Sequence, residues 1–170
     1  LSCGLQGHTP EPMLPVSPDL TDSLVADICR QLDKTRAHLL EDLGIYLVRH
    51  SRYEGLRRLL RFSGHTFGDF VLSLDELAAR VRLVLPGTEF FSLNVQAYPG
   101  RRFEVNSVSD FAGFQRILFG ALRAMADDYG VLVTMEISDP AASGHAQILV
   151  TVHAPDFASG RGFSLGARTA

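Results

Sequence analysis

Between Phe67 and Leu85 apolar residues recur every three or four positions: Phe67, Phe70, Leu74, Leu77, Ala78, Val81 and Leu85. That spacing predicts one helix with a broad apolar stripe, ended by Pro86-Gly87. Ala78 lies on the stripe, so the periodicity aims its methyl group at the interior. Three shorter amphipathic segments precede this helix. Leu20, Leu24, Ile28 and Leu32 are spaced by four, with Asp19 or Thr21 as the predicted cap. Thr35 predicts the start of a second helix whose apolar side is Leu39, Leu43, Tyr46 and Leu47. Tyr53, Leu56 and Leu60 mark a third, and Gly64 with Thr66 punctuates the boundary to the fourth.

From Glu89 the period changes to two. Phe91, Leu93, Val95 and Ala97 alternate with Ser92, Asn94 and Gln96, the pattern of a half-buried strand. Tyr98-Pro99-Gly100 predicts a turn, and Phe103, Val105 and Ser107 continue in a return strand. Ser109 is the expected cap of a helix carrying Phe111, Phe114, Leu118, Leu122, Met125 and Tyr129 on one face, with Gly130 as its stop. A second hairpin follows, from Val131 to Ile137 and from Ala146 to His153, joined through Asp139-Pro140 and Ser143-Gly144. The expected class is α+β: an N-terminal helical part packed on a C-terminal β-β-α-β-β antiparallel sheet. Residues 1–157 read as a single domain, helical over 1–87 and sheet over 88–157. Residues 1–18 are Gly- and Pro-punctuated, and the Gly-, Ser- and Arg-rich stretch from Ala154, above all 158–170, is expected to be a flexible tail.

Composition narrows the classes. The chain has 170 residues, 46% hydrophobic, with a formal net charge of −3, which predicts an ordered globular domain with no global drive toward nucleic acid or anionic membrane. No apolar run reaches the roughly 20 residues of a spanning helix, and a signal-peptide start is absent. Cys3 and Cys29 make neither a disulfide framework nor a zinc cage. A reducing, cytoplasmic setting is the expectation.

Local motifs give catalysis little support. No Ser-His-Asp, Cys-His or paired-carboxylate arrangement stands out, and Gly160-Arg161-Gly162 lacks the features of a phosphate loop. Asp75-Glu76 and Asp127-Asp128 are adjacent pairs, expected on the surface. His38, His50, His65, His145 and His153 fit capping or surface roles. His65, just ahead of the Phe67 helix, is the first to test as a ligand. Arg49, Arg52, Arg57, Arg58 and Arg61 form the one basic cluster. It reads as a solvated face balanced by Glu41, Asp42 and Glu54, or as a docking patch for an acidic partner or a phosphate-bearing ligand centred on Arg57, Arg58 and Arg61.

The run Leu74-Asp75-Glu76-Leu77-Ala78-Ala79-Arg80-Val81-Arg82-Leu83, the following Pro86-Gly87, the hairpin and the Phe111–Tyr129 helix together resemble the heme nitric oxide/oxygen-binding (H-NOX) family, from about Pro18 to His153. The chain's start then corresponds to a point roughly two helices into the family's domain. The resemblance implies a sensory domain rather than an enzyme. In the family a ligand at the heme iron shifts a histidine-bearing helix and biases a partner such as a cyclase, a histidine kinase or a cyclic-dinucleotide protein.

The departures fall on the residues that handle heme. Ala78 stands where the family has its axial histidine, flanked by Leu74 and Val81. The family's Tyr-x-Ser-x-Arg motif, which holds the propionates, is matched by Val105, Ser107 and Ser109, and a serine offers no bidentate cation. Phe90-Phe91 replaces a Pro-Pro pair that presses on the macrocycle. The expectation is an H-NOX-like regulatory domain with no assigned cofactor or metal. The alternatives are a gas sensor with a substitute heme ligand and a heme-free interaction module.

Overall fold

The computed structural model describes residues 17–84, 91–138 and 144–162. Cys3, Leu85, Pro86-Gly87, Phe90 and the Asp139-Pro140 turn, all singled out in the sequence, lie outside the described residues. Helix α1 spans Pro18–Leu32. Its cap is Ser17, earlier than expected: the Ser17 hydroxyl accepts the Leu20 N–H, and Pro18 sits in the first turn, where no N–H partner is needed. Helix α2, Arg36–Arg49, starts at the expected Thr35 cap.

The expected apolar side of α2 is not the buried one. Leu40, Gly44 and Val48 are buried, whereas Leu43 and Tyr46 are 40% and 45% exposed. The contact stripe is turned by one residue because Gly44 marks the place where another backbone comes close. A 3₁₀ turn at Ser51–Tyr53 leads into α3, Glu54–Arg61, on which Leu60 is buried.

The long fourth helix is three pieces: α4 at Phe67–Leu72, a 3₁₀ turn at Ser73–Glu76, and α5 at Leu77–Val84. The Ser73 hydroxyl donates to the Phe70 carbonyl at 2.7 Å, and the Asp75 carboxylate accepts the backbone N–H of Val95. These bonds compete with the regular ladder and tighten the turn. Four residues at three per turn instead of 3.6 advance the stripe by roughly 80°. Leu74 is therefore buried and Leu77 packs on the core, while Ala78 is only half-buried.

At the start of α4 the Thr66 hydroxyl accepts the Asp69 N–H, and the Asp69 carboxylate accepts the Thr66 N–H. That reciprocal box holds the Asp69 carboxyl below its usual range, chiefly through the Thr66 backbone N–H and then its side chain. Thr66→Ala is expected to lower stability by about 1 kcal/mol. The sign with pH follows from a depressed pKa: the contribution is present above the ordinary aspartate value and fades as pH falls through the lowered one. Urea melts at pH 7 and pH 3 test both, and a Thr66→Ala deficit that grows toward pH 3 would refute the account.

Strands β1 (Phe91–Tyr98), β2 (Arg102–Ser109), β3 (Leu132–Ser138) and β4 (His145–Ala154) form one antiparallel sheet in the order β1-β2-β4-β3. Register places Val95, Val105, Ile148 and Ile137 in one inward row, and Leu93, Ser107 and Ala146 in another. Asp75 satisfies an N–H of the edge strand β1, which ties the 3₁₀ turn to the sheet. Helix α6, Phe114–Tyr129, covers the inner face with Leu118, Leu122 and Met125 and ends at Gly130, φ +73°. It begins later than expected. Ser109 stays in β2, where its N–H donates to Gly144 and its hydroxyl accepts the Phe111 N–H; Gly113, φ +108°, precedes the first turn.

Candidate functional site

The α4–α5 segment and the first hairpin bring most of the predicted pocket positions to one region. Val105, Ser107 and Ser109 project to the inner side of β2 and are buried, and Phe91 is the cross-strand partner of Ser109. Leu74 and Val105 share the hydrophobic core, and Phe91 packs against it. Ala78 and Val81 are half-buried on α5, the helix that lies along β1. Phe90 lies outside the described residues.

Chemically the region is poor in ligands. The Ser107 hydroxyl donates to the Ala146 carbonyl at 3.4 Å, and the Ser109 hydroxyl accepts the Phe111 N–H at 3.1 Å. Both serines are thus engaged with backbone. The Phe91 ring stacks on Phe114 with centroids 4.6 Å apart and planes 22° apart. On α5 the Arg80 guanidinium reaches back to the Ser63 hydroxyl and the Ser73 carbonyl.

None of the described histidines is buried. His50 accepts the Arg52 N–H through Nδ1 and lies 4.6 Å from the Tyr46 ring. His153 Nε2 is 2.7 Å from the Thr134 hydroxyl, and His65 faces Asp69. His38 sits in the first turn of α2, and His145 opposite Val108 on β4. Among the described residues no group of three His, Cys, Asp or Glu side chains could hold a metal ion.

Arg49 and Arg52 are exposed, but Arg57 and Arg61 are not part of a solvated patch, which corrects the reading from sequence. The Arg57 side chain is 4% exposed; its Nε donates to Asp128 and one Nη to Glu54, each at 2.7 Å. Its other Nη donates to the Gly162 carbonyl at 3.2 Å. Arg61 lies 3.6 Å from Asp128, with its guanidinium 3.7 Å from the centre of the Tyr129 ring. Burial works against the Arg57 charge, but the hydrogen bonds and charges of Asp128 and Glu54 outweigh it and raise its pKa. Arg58 is half-buried. Of the expected balancing acids, Glu54 pairs with Arg57, whereas Glu41 pairs with Arg123 and Asp42 with Lys34.

Asp128 is likewise buried, unlike its neighbour Asp127, which pairs with Arg49 at the surface. Sequence reading missed this hub because Arg57 is 71 residues from Asp128 and 105 from Gly162. The segment expected to be loose from Ala154 is anchored there too. Ala158 donates to Gly130 at 3.0 Å and the Arg161 N–H to the Asp128 carbonyl at 2.9 Å.

With this geometry in view, the family profile for Haem-NO-binding, HNOB, matches residues 2–137. The chain belongs to the Haem-NO-binding family. Solved structures agree with the H-NOX fold. A mutant H-NOX protein from S. oneidensis in the Fe(II) ligation state superposes with a TM-score of 0.74 at 13% identity, covering 89% of this chain and 84% of that one. A mutant H-NOX from T. tengcongensis gives 0.71 at 12% identity, over 88% and 81%. An oxygen-binding H-NOX domain related to soluble guanylate cyclases gives 0.67 at 12%, over 92% and 82%. No curated protein sequence matches the chain.

H-NOX domains are sensor domains rather than catalysts, a family of heme-based NO and O₂ sensors often paired with signalling enzymes. Among the described residues no helix is long and apolar enough to cross a membrane.

Proposed function

We propose that this H-NOX domain is a regulatory module that operates without histidine-ligated heme, transmitting a partner contact or a different ligand to a signalling enzyme in the cytoplasm. The observation that carries the reading is the methyl group of Ala78 on α5, with every described histidine exposed and none on that helix. The residues present do not fit the family's cofactor: the serines at the propionate-binding positions bond to backbone, and Phe91 fills space by stacking on Phe114.

The stacked rings also favour the heme-free form of the reading, in which this region is core rather than cavity. In either form the moving element is the α4–α5 segment, and any signal must favour one of its positions over another.

Titration of the purified protein with hemin, followed by visible absorption, tests the reading. The native chain is expected to give the broad, non-saturating spectrum of loosely associated hemin. Ala78→His restores an imidazole at a half-buried position and is expected to sharpen the Soret band. A sharp band saturating at one hemin per native chain sinks the proposal. If His65→Ala then abolished that band, the substitute-ligand alternative would take its place.

A further inference from the structure

A cleft of about 370 Å³ opens where the turn before α4, the β1–β2 turn and the end of β4 meet. That volume falls within the roughly 300–1,000 Å³ of small-molecule sites. Its apolar lining includes the buried rings of Phe67 and Phe103 and the half-buried ring of Tyr129, and its polar lining includes His65, Thr66, Arg101 and Asp156. None of these is among the expected pocket positions at Leu74, Ala78, Val81, Phe90, Phe91, Val105, Ser107 and Ser109, so the site stands apart from the reading of Ala78.

Arg101 is the informative residue. Its φ is +57°, directly after Gly100 at +81°, and the Val152 N–H donates to its carbonyl at 3.1 Å. A long side chain in the left-handed region costs roughly 1–2 kcal/mol relative to glycine, and such strain collects at functional sites. Arg101 lines the cleft and forms no ion pair among the described residues. His65 adds a second donor. Asp156 adds a negative charge to the same lining, which penalises a dianion more than a monoanion.

We propose that the cleft binds a small apolar carboxylate. Arg101 and His65 take the carboxylate, and the body lies against Phe67, Phe103 and Tyr129. Phe67 opens α4 and touches Phe70 and Tyr129 at 5.9 and 6.0 Å between ring centroids. Tyr129 in turn donates to Gly64 at 2.8 Å. A ligand here therefore presses on the helix segment that leads to Ala78 and, through Asp156, on the chain leaving β4.

Amide chemical-shift titration of ¹⁵N-labelled protein at pH 7 decides it, with phenylacetate, neutral phenylacetamide and inorganic phosphate as probes. Phenylacetate is expected to give saturable shifts confined to residues 64–68, 100–103, 129–131 and 152–156. The amide should bind at least about tenfold more weakly, because it lacks the charge that a guanidinium pairs with. Phosphate should give no saturable shifts at these amides.

Arg101→Gln should weaken phenylacetate by about tenfold or more. Arg101→Gly should do the same while relieving the backbone, which keeps the test valid if the glutamine variant folds poorly. Equal binding of amide and acid, phosphate reproducing the shifts, unchanged affinity in Arg101→Gly, or no saturation by phenylacetate would each overturn the proposal.

Discussion

Asp128→Ala is expected to be among the most damaging single substitutions in the chain, lowering unfolding free energy by about 3 kcal/mol or more. The side chain is 1% exposed and sits among Arg57, Arg61 and Arg161, at 2.7, 3.6 and 3.8 Å. Removing it leaves the 4%-exposed Arg57 guanidinium facing Glu54 and one carbonyl, without its most buried counter-charge. The cost of an uncompensated buried cation dominates, not the worth of one ion pair. By contrast, Asp22→Ala breaks the exposed pair with Arg36 and should cost under about 1 kcal/mol.

With a urea dependence of about 1–3 kcal/mol per M, the Asp128→Ala midpoint should fall by roughly 1–3 M. Arg57→Met combined with Asp128→Leu should recover much of the loss, since apolar replacement of a buried pair is often neutral or better. A deficit below about 1 kcal/mol for Asp128→Ala would mean that water reaches the hub. The double variant separates the hub's energetic role from its anchoring role. If it folds yet proteolysis begins near Arg161, the charges fix the exit of the chain more than they stabilise the domain.

Sequence periodicity carried the fold far where the signal was local. Strand alternation placed β1 with its inward residues, Thr35 capped α2 and Gly130 stopped α6, because each depends on residues within one turn of one another. The resemblance drawn from the Leu74–Leu83 run and the two hairpins also led to the family. Four features escaped. The 3₁₀ turn at Ser73–Glu76 depends on Asp75 meeting Val95 on a strand twenty residues away, so nothing in the apolar stripe announces it.

The hub escaped because a hydrophilic cluster looks solvated until its partner is known. The cleft at Arg101 escaped because it is assembled from a helix start, a turn and a strand end. Of the positions expected to handle heme, sequence named Ala78, Val105, Ser107 and Ser109. It could not tell that both serines would be engaged with backbone.

The buried side of α2 escaped for a different reason, and it leads to the second large expected effect. A Cβ built on Gly44 would lie 2.0 Å from the Ile117 carbonyl oxygen and 2.8 Å from the Ala121 nitrogen; one on Gly120 would lie 2.0 Å from the Glu41 carbonyl oxygen. Helices α2 and α6 therefore touch backbone to backbone, and the contact side of α2 is marked by the absence of a side chain. Hydrophobicity reads glycine as neutral and Leu43 and Tyr46 as core, so the stripe is assigned to the wrong side. Gly44→Ala is expected to lower stability by about 3 kcal/mol, the upper end for overpacking, because the obstacle is a main-chain oxygen that cannot rotate away. The gain in helix propensity, about 1 kcal/mol, offsets only part of that. Gly55→Ala is the control: it is also helical, a Cβ there meets nothing within 4 Å, and it should stabilise by up to about 1 kcal/mol. Thermal melts of the two variants should thus move in opposite directions. If Gly44→Ala melted with the native protein, α2 and α6 would have to be farther apart than these contacts require, and the α2 face would need to be reassigned.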